Sequence, residues 1–254
     1  MIEIKNLSFA HGSKTIFANI SWQAKAGSLS LILGANGAGK STLLNLLAGD
    51  YPPQSGEILW DQHALQQIKD AACYRGVLSQ QHALHFPLRV DDVVALGRYP
   101  HARRKPGLKD QEIVAAALKQ FELEELAARN IQSLSGGEQQ RVHFARVWVQ
   151  MQNENRARNP LLLIDEPTTF LDIHHQWKYL QAIREETQKN QWISIGVLHD
   201  LSMAYQLADE VLVLHENKVL ACGPTQEVLV PELIKKVFAV ESRIVEGQLL
   251  IDGV

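Results

Sequence analysis

The sequence predicts a single α/β domain over residues 1–254, with a small antiparallel β layer near its start and a helical subdomain, about residues 84–150, inserted in the α/β core. Three observations predict it. The apolar run Leu29-Ser30-Leu31-Ile32-Leu33 passes through the glycine-rich turn Gly34-Ala35-Asn36-Gly37-Ala38-Gly39-Lys40-Ser41-Thr42 into Leu43-Leu44-Asn45-Leu46-Leu47, which reads as strand, loop and helix. Two later apolar runs, Pro160 to Ile164 and Trp192 to Leu198, do not alternate with polar residues and read as strands buried on both faces of a parallel sheet. Between these regions the texture turns helical.

In chain order, Ile2, Ile4 and Leu7 mark a first strand and Ile16-Phe17 a second. Ile20 to Ala24 then alternates until Lys25-Ala26-Gly27 breaks it. Tyr51-Pro52-Pro53 and Ser55-Gly56 stop the helix that follows the glycine-rich turn, and Glu57 to Trp60 returns as a strand. Asp91 to Leu96 is a candidate helix ended by Gly97. Asp110 is placed to cap the next, with Ile113, Val114, Ala117, Leu118 and Phe121 on one face. Gln139 to Met151 is a third, and the polar stretch Asn153 to Asn159 is a loop. Ile173 to Lys189 and Leu201 to Ala208 read as helices, and Val211 to His215 with Lys218 to Ala221 as a hairpin around Glu216-Asn217. Thr225 to Val240 reads as helix, and Gln248 to Ile251 as a last short strand.

Composition narrows the function. With 254 residues, 46% of them hydrophobic, the chain can bury a sizeable core. A formal charge of −3 argues against a nucleic-acid partner held by bulk electrostatics. The two cysteines, Cys73 and Cys222, fit neither a metal spacing nor a disulfide framework and point to a reducing cytosol. The start, Met1-Ile2-Glu3-Ile4-Lys5, has no signal-peptide pattern, and no apolar run approaches the ~18 residues that cross a bilayer. Any membrane role therefore needs another chain to do the spanning.

Residues 34–42 carry the first chemistry. The spacing G-x-x-x-x-G-K-[ST] between a strand and a helix is that of a loop whose backbone N–H groups and helix N-terminus cradle a triphosphate. Lys40 can reach the β- and γ-phosphates, and the Ser41 hydroxyl can sit on Mg²⁺. A hydrolysing site also needs a carboxylate-bearing strand beside the loop. Leu161-Leu162-Leu163-Ile164-Asp165-Glu166 supplies it, with Asp165 placed to hold Mg²⁺ through water and Glu166 to orient or deprotonate the attacking water.

Leu134-Ser135-Gly136-Gly137-Glu138, followed by Gln139-Gln140-Arg141, is a second glycine-rich helix opening with a Ser hydroxyl and exposed N–H groups. Together with the loop and the Asp-Glu strand it makes the chain resemble the ATP-binding subunits of ABC transporters, whose signature sequence it matches; the resemblance implies a P-loop NTPase fold and covers essentially the whole chain. It further implies that two copies dimerise head to tail, so that Ser135, Gly136 and Gly137 of one close on the ATP held by the other. On the same basis Gln80 matches the glutamine that senses Mg²⁺ and the γ-phosphate, with Gln81 beside it. Thr169-Phe170-Leu171-Asp172 matches the D-loop, with Phe170 where a small residue is common, and His199 matches the switch histidine that contacts the γ-phosphate. The aromatic that stacks on adenine in the family is here His11, before Gly12, with Phe9 two residues earlier.

Leu84 to Val90, Val94 to His101, and Gly223-Pro224 with the segment to Leu233 resemble the importer branch for iron-siderophores, haem and cobalamin. The extra segment Met151 to Asn159 and the run Arg141 to Val147 resemble its haem-importing members. The resemblance implies ATP and Mg²⁺ as cofactors. Its implied partners are a second copy, transmembrane permease subunits and, indirectly, a periplasmic binding protein. The implied location is the cytoplasmic face of the inner membrane, as a peripheral subunit. Import of a siderophore or cobalamin is the alternative. A non-transport ATPase lacks support, since the chain has neither tandem cassettes nor long coiled coils, and the Ser135-Gly136-Gly137 signature argues against a kinase or GTPase. Arg98, Arg103, Arg104, Lys105 and Lys109 with His101 form a basic cluster that reads either as a solvated face or as a contact with permease or anionic lipid. His82, His85 and His174-His175 read as structural or solvated.

Overall fold

The computed structural model describes residues 1–79, 86–101, 107–153, 157–166 and 172–253. In order its elements are β1 (Ile2–His11), β2 (Lys14–Ala24), β3 (Ser28–Gly34), α1 (Lys40–Ala48), β4 (Ser55–Trp60), β5 (His63–Ala64), β6 (Arg75–Leu78), α2 (Val90–Leu96), α3 (Leu108–Gln120) and α4 (Gly136–Met151). They continue with β7 (Leu161–Asp165), α5 (Ile173–Asn190), β8 (Ile193–Val197), α6 (Leu201–Leu207), β9 (Glu210–His215), β10 (Lys218–Pro224), α7 (Thr225–Val228), α8 (Pro231–Phe238), β11 (Glu241–Val245) and β12 (Gln248–Gly253).

The core sheet has the order β10-β9-β3-β8-β7-β6, parallel from β9 to β6, with β10 returning antiparallel at the edge. Its inner strands are apolar on both sides, and successive residues sort to opposite faces. Leu31, Leu33, Leu162, Ile164, Val211 and Val213 join the core under α2 to α6, whereas Ile32, Leu161, Leu163, Leu212 and Leu214 face α1 and the second sheet. That second sheet, in the order β2-β1-β4-β5, is antiparallel. Strands β6 and β7 are neighbours although more than eighty residues separate them, and the regular elements described between them are helical. Among the described residues no helix is long and apolar enough to cross a membrane.

Several expectations are corrected. The second and third short strands are one, β2, because Asn19 takes a left-handed backbone (φ 56°) and its N–H donates to Ser8 Oγ at 3.0 Å, so an irregularity carries the strand through. Asp110 is not the cap of α3 but its third residue. Gly107 is the cap, and its N–H donates back to Asp110 Oδ2 at 2.8 Å. The C-terminal helix is two helices, α7 and α8, because Pro231 opens the second. Strand β12 pairs with β11, which the sequence pattern did not mark. Arg158 and Asn159, just before β7, are pinned to the antiparallel sheet. Arg158 lies over the Trp60 ring at 5.4 Å, Trp60 Nε1 donates to the Asn159 carbonyl at 2.9 Å, and the Asn159 N–H donates to Asp61 at 3.0 Å.

Candidate functional site

Strand β3 ends where the chain has room for nothing larger than glycine. A Cβ on Gly34 (φ 152°) would stand 2.4 Å from the Leu214 carbonyl oxygen, and one on Gly39 (φ 95°) would stand 2.8 Å from Ile16 Cγ2. The loop therefore lies tightly against β9 and β2 before α1 begins at Lys40. Gly39 is the N-cap and offers no side chain to the first-turn N–H groups. Lys40 is buried at 7% exposure, and its Nζ donates to the carbonyls of Gly34 (2.8 Å) and Ala35 (3.1 Å). Burial holds its pKa below the ordinary value against the opposing pull of the Glu166 and Asp165 charges.

Strand β7, two places from β3 across β8, delivers the carboxylates to the same end of the sheet, where open α/β folds bind ligands. Ser41 Oγ donates to Asp165 Oδ1 at 3.2 Å. Burial pushes Asp165 above the ordinary carboxylate range, and the Glu166 charge adds to this while the Ser41 hydroxyl opposes it. Glu166 sits just past the strand in a left-handed conformation (φ 46°), its N–H donating to the Val197 carbonyl at 3.2 Å. A left-handed backbone is uncommon for a glutamate. It turns the carboxylate onto His199 Nε2, with which it pairs. His199 follows β8 and precedes α6, whose N-cap Asp200 accepts the Met203 N–H at 2.8 Å.

Lys40, Ser41, Asp165, Glu166 and His199 thus gather at one end of the sheet, Ser41 bonded to Asp165 and Glu166 paired with His199. The signature residues are held elsewhere. Ser135 caps α4: its Oγ accepts the Glu138 N–H at 3.3 Å and donates to Glu138 Oε2 at 2.7 Å, and that same carboxylate oxygen accepts the Ser135 N–H at 2.8 Å. These bonds hold the Glu138 pKa below its ordinary value. Helix α4 packs on α2, α3 and β6, whereas α1 packs on β3, β7 and β8. No hydrogen bond joins Ser135, Gly136 or Gly137 to residues 34–42 among the described residues. Asp172 is the N-cap of α5 and accepts both the His175 N–H (3.0 Å) and its Nδ1 (2.8 Å), which lowers its pKa.

His11 stands exposed at the end of β1, beside a residue the sequence reading used only as a helix stop. The Tyr51 ring lies 6.2 Å from the His11 ring at 81°, and 5.8 Å from the Phe9 ring. Tyr51 lies forty residues along the chain, so periodicity carries no signal for the contact; the sheet pairing of β1 with β4 makes it. The basic cluster also divides. Arg98 is buried, bonded to Asp110 (2.8 Å) and to the Gln152 carbonyl (2.6 Å), and His101 contacts the Gln150 carbonyl at 2.7 Å, so both tie the α2–α3 region to the end of α4. Gln80, Gln81, His82, His85, Arg103, Arg104, Lys105, Thr169, Phe170 and Leu171 lie outside the described residues.

Comparison with known proteins follows the same lines. Residues 17–169 match the family described as ABC transporter. The chain is 40% identical over 243 residues to the hemin import ATP-binding protein HmuV of Rhodopseudomonas palustris strain HaA2, covering 94% of this chain and 91% of that one. It is 41% identical over 242 residues to the protein of the same name from Deinococcus radiodurans, covering 94% and 90%. A metal-chelate type ABC transporter in an inward-facing conformation superposes with a TM-score of 0.80 at 26% identity, covering 100% of this chain and 96% of that one. A dimeric bacterial ABC transporter cassette superposes at 0.76 and 26% identity, covering 89% and 99%.

Proposed function

Because the chain belongs to the ABC transporter family, we propose that it is the ATP-hydrolysing subunit of a membrane importer, and that haem is the cargo. The observation that carries the ATPase reading is the gathering of Lys40, Ser41, Asp165, Glu166 and His199 at one end of the sheet. The cargo is supported by relatives named for hemin import that match nearly the whole chain.

In this reading residues 34–42 and the first turn of α1 hold the triphosphate of ATP. Lys40 exchanges its loop carbonyls for phosphate oxygens and offsets their charge. Ser41 and Asp165 present hard oxygen donors 3.2 Å apart, a set that suits Mg²⁺ completed by phosphates and waters. Gln80 is the further candidate ligand. The metal would supply charge stabilisation at the phosphates. Water attacks the γ-phosphorus, the bond to the bridging oxygen of ADP breaks, and the water proton passes to the Glu166 carboxylate. His199 fixes the orientation of that carboxylate.

Ser135, Gly136, Gly137 and Asp172 act on the nucleotide of a second copy. ATP touching both faces favours the closed dimer by differential binding, and hydrolysis releases it. The movement is passed through the helical subdomain to a transmembrane permease fed by a periplasmic binding protein, with this subunit at the cytoplasmic face of the inner membrane.

The test is growth on haem as sole iron source in cells lacking the gene, complemented with wild type or Lys40→Ala. Rescue by wild type alone, with siderophore and cobalamin uptake unaffected, is the expected result. Normal growth on haem in the deletion strain contradicts the cargo.

A further inference from the structure

Resting on the reading of residues 34–42 as an ATP site, we propose that Tyr51 is a positioning residue for the nucleobase: it holds the His11 imidazole edge-on, so that His11 presents a fixed face to the base. An imidazole on a hairpin tip is by itself a small and free platform for a base. The fold supplies what His11 lacks. Tyr51 follows the left-handed C-cap Gly49 of α1 and stands 39% exposed beside the end of β1. Its ring meets that of His11 at 6.2 Å and 81°, the edge-to-face arrangement that the aromatic quadrupole favours. Phe9, itself buried, backs both rings at 5.8 and 6.5 Å.

The backbone beneath is clamped as well. The Ala10 N–H donates to Gln54 Oε1 at 2.9 Å, Gln54 Nε2 donates to the Ala10 carbonyl at 3.1 Å, and the Gln54 N–H donates to the Ser8 carbonyl at 3.2 Å. The segment Tyr51 to Gln54 therefore fixes both the main chain and the ring of the hairpin end. This end is also near the phosphate loop, since Ile16 of the same hairpin packs against Gly39. A side chain held in place before binding loses less entropy when the base stacks on it.

The experiment compares KM and kcat for ATP in the full-length chain and its Tyr51→Ala, Tyr51→Phe, His11→Ala and double alanine variants, with Lys40→Ala as control. Inorganic tripolyphosphate serves as a competitor that carries no base. Tyr51→Ala is expected to raise KM for ATP about three- to tenfold, to leave kcat within about twofold because Lys40 and Glu166 are untouched, and to leave inhibition by tripolyphosphate unchanged. Tyr51→Phe keeps the ring and restores the wild-type KM. The double alanine variant is no worse than His11→Ala, because Tyr51 acts through His11. An unchanged KM in Tyr51→Ala, additive losses in the double variant, or an equal loss of tripolyphosphate inhibition overturns the proposal. Lys40→Ala separates the two failures: if it leaves ATP binding intact, the nucleotide site itself is wrong, whereas loss there with no effect at Tyr51 rejects only the positioning role.

Discussion

Two helices of this chain open on glycine-rich turns, and the two N-termini are built in opposite ways. Helix α1 starts after Gly39, whose left-handed backbone brings no side chain to the first-turn N–H groups. Helix α4 starts after Ser135, which with Glu138 forms a reciprocal capping box. The first end is completed by groups from other strands: Asp165 reaches Ser41, and Lys40 is folded back on the loop that precedes it. The second is capped from within by Ser135 and Glu138 and, among the described residues, makes no hydrogen bond to the first. The difference is between an end that gathers side chains from a neighbouring strand and one that caps itself.

The comparison can be broken most sharply at Glu166. Glu166→Gln removes the proton acceptor and keeps the shape, so hydrolysis should fall by about 10²–10⁴-fold while ATP binding persists in a filter or calorimetric assay; near-wild-type turnover would sink the assignment. Lys40→Ala strikes the binding half. Losing a buried cation that faces phosphate should weaken ATP binding by about 2–5 kcal/mol, with little change in the circular dichroism of the apo chain. Ser135→Ala acts only on the self-contained end. Removing an N-cap hydroxyl should cost about 1 kcal/mol, read as a modest fall in Tm, while ATP binding to the isolated chain stays unchanged.

The smallest effect on stability concerns Asp165. Its folded pKa is raised by burial, so the folded chain binds a proton more readily than the unfolded one there. The stability tied to that group is fully present below the ordinary value of 3.8 and is lost as the pH rises through the folded value. At neutral pH the ionised carboxylate is therefore destabilising. Asp165→Asn should raise the apo Tm slightly at pH 7, with the gain vanishing as the pH falls toward 4, and should abolish hydrolysis supported by Mg²⁺. A lowered Tm at neutral pH would contradict this.

Much of this was legible in the sequence because it is local. The turn of residues 34–42, the strand end at Asp165-Glu166 and the Ser135 opening each depend on neighbours a few positions away, and the structure builds each as read. What was not legible depends on contacts between distant segments. Asn19 bridges β2 through Ser8, Arg98 turns from an expected surface cation into a buried partner of Asp110, and Tyr51 reaches His11 only because β1 and β4 pair. The left-handed backbone of Glu166 was equally hidden, since no local rule places a glutamate there.

The measurement that bears most directly on the division between the two helix ends is the mass of Glu166→Gln in solution with ATP, by light scattering, alone and combined with Ser135→Arg. The expected result is an ATP-dependent dimer for Glu166→Gln, and a monomer that still binds ATP once Ser135→Arg is added. A double variant that dimerises equally well, or a Glu166→Gln chain that stays monomeric with ATP bound, would contradict a site completed across two copies.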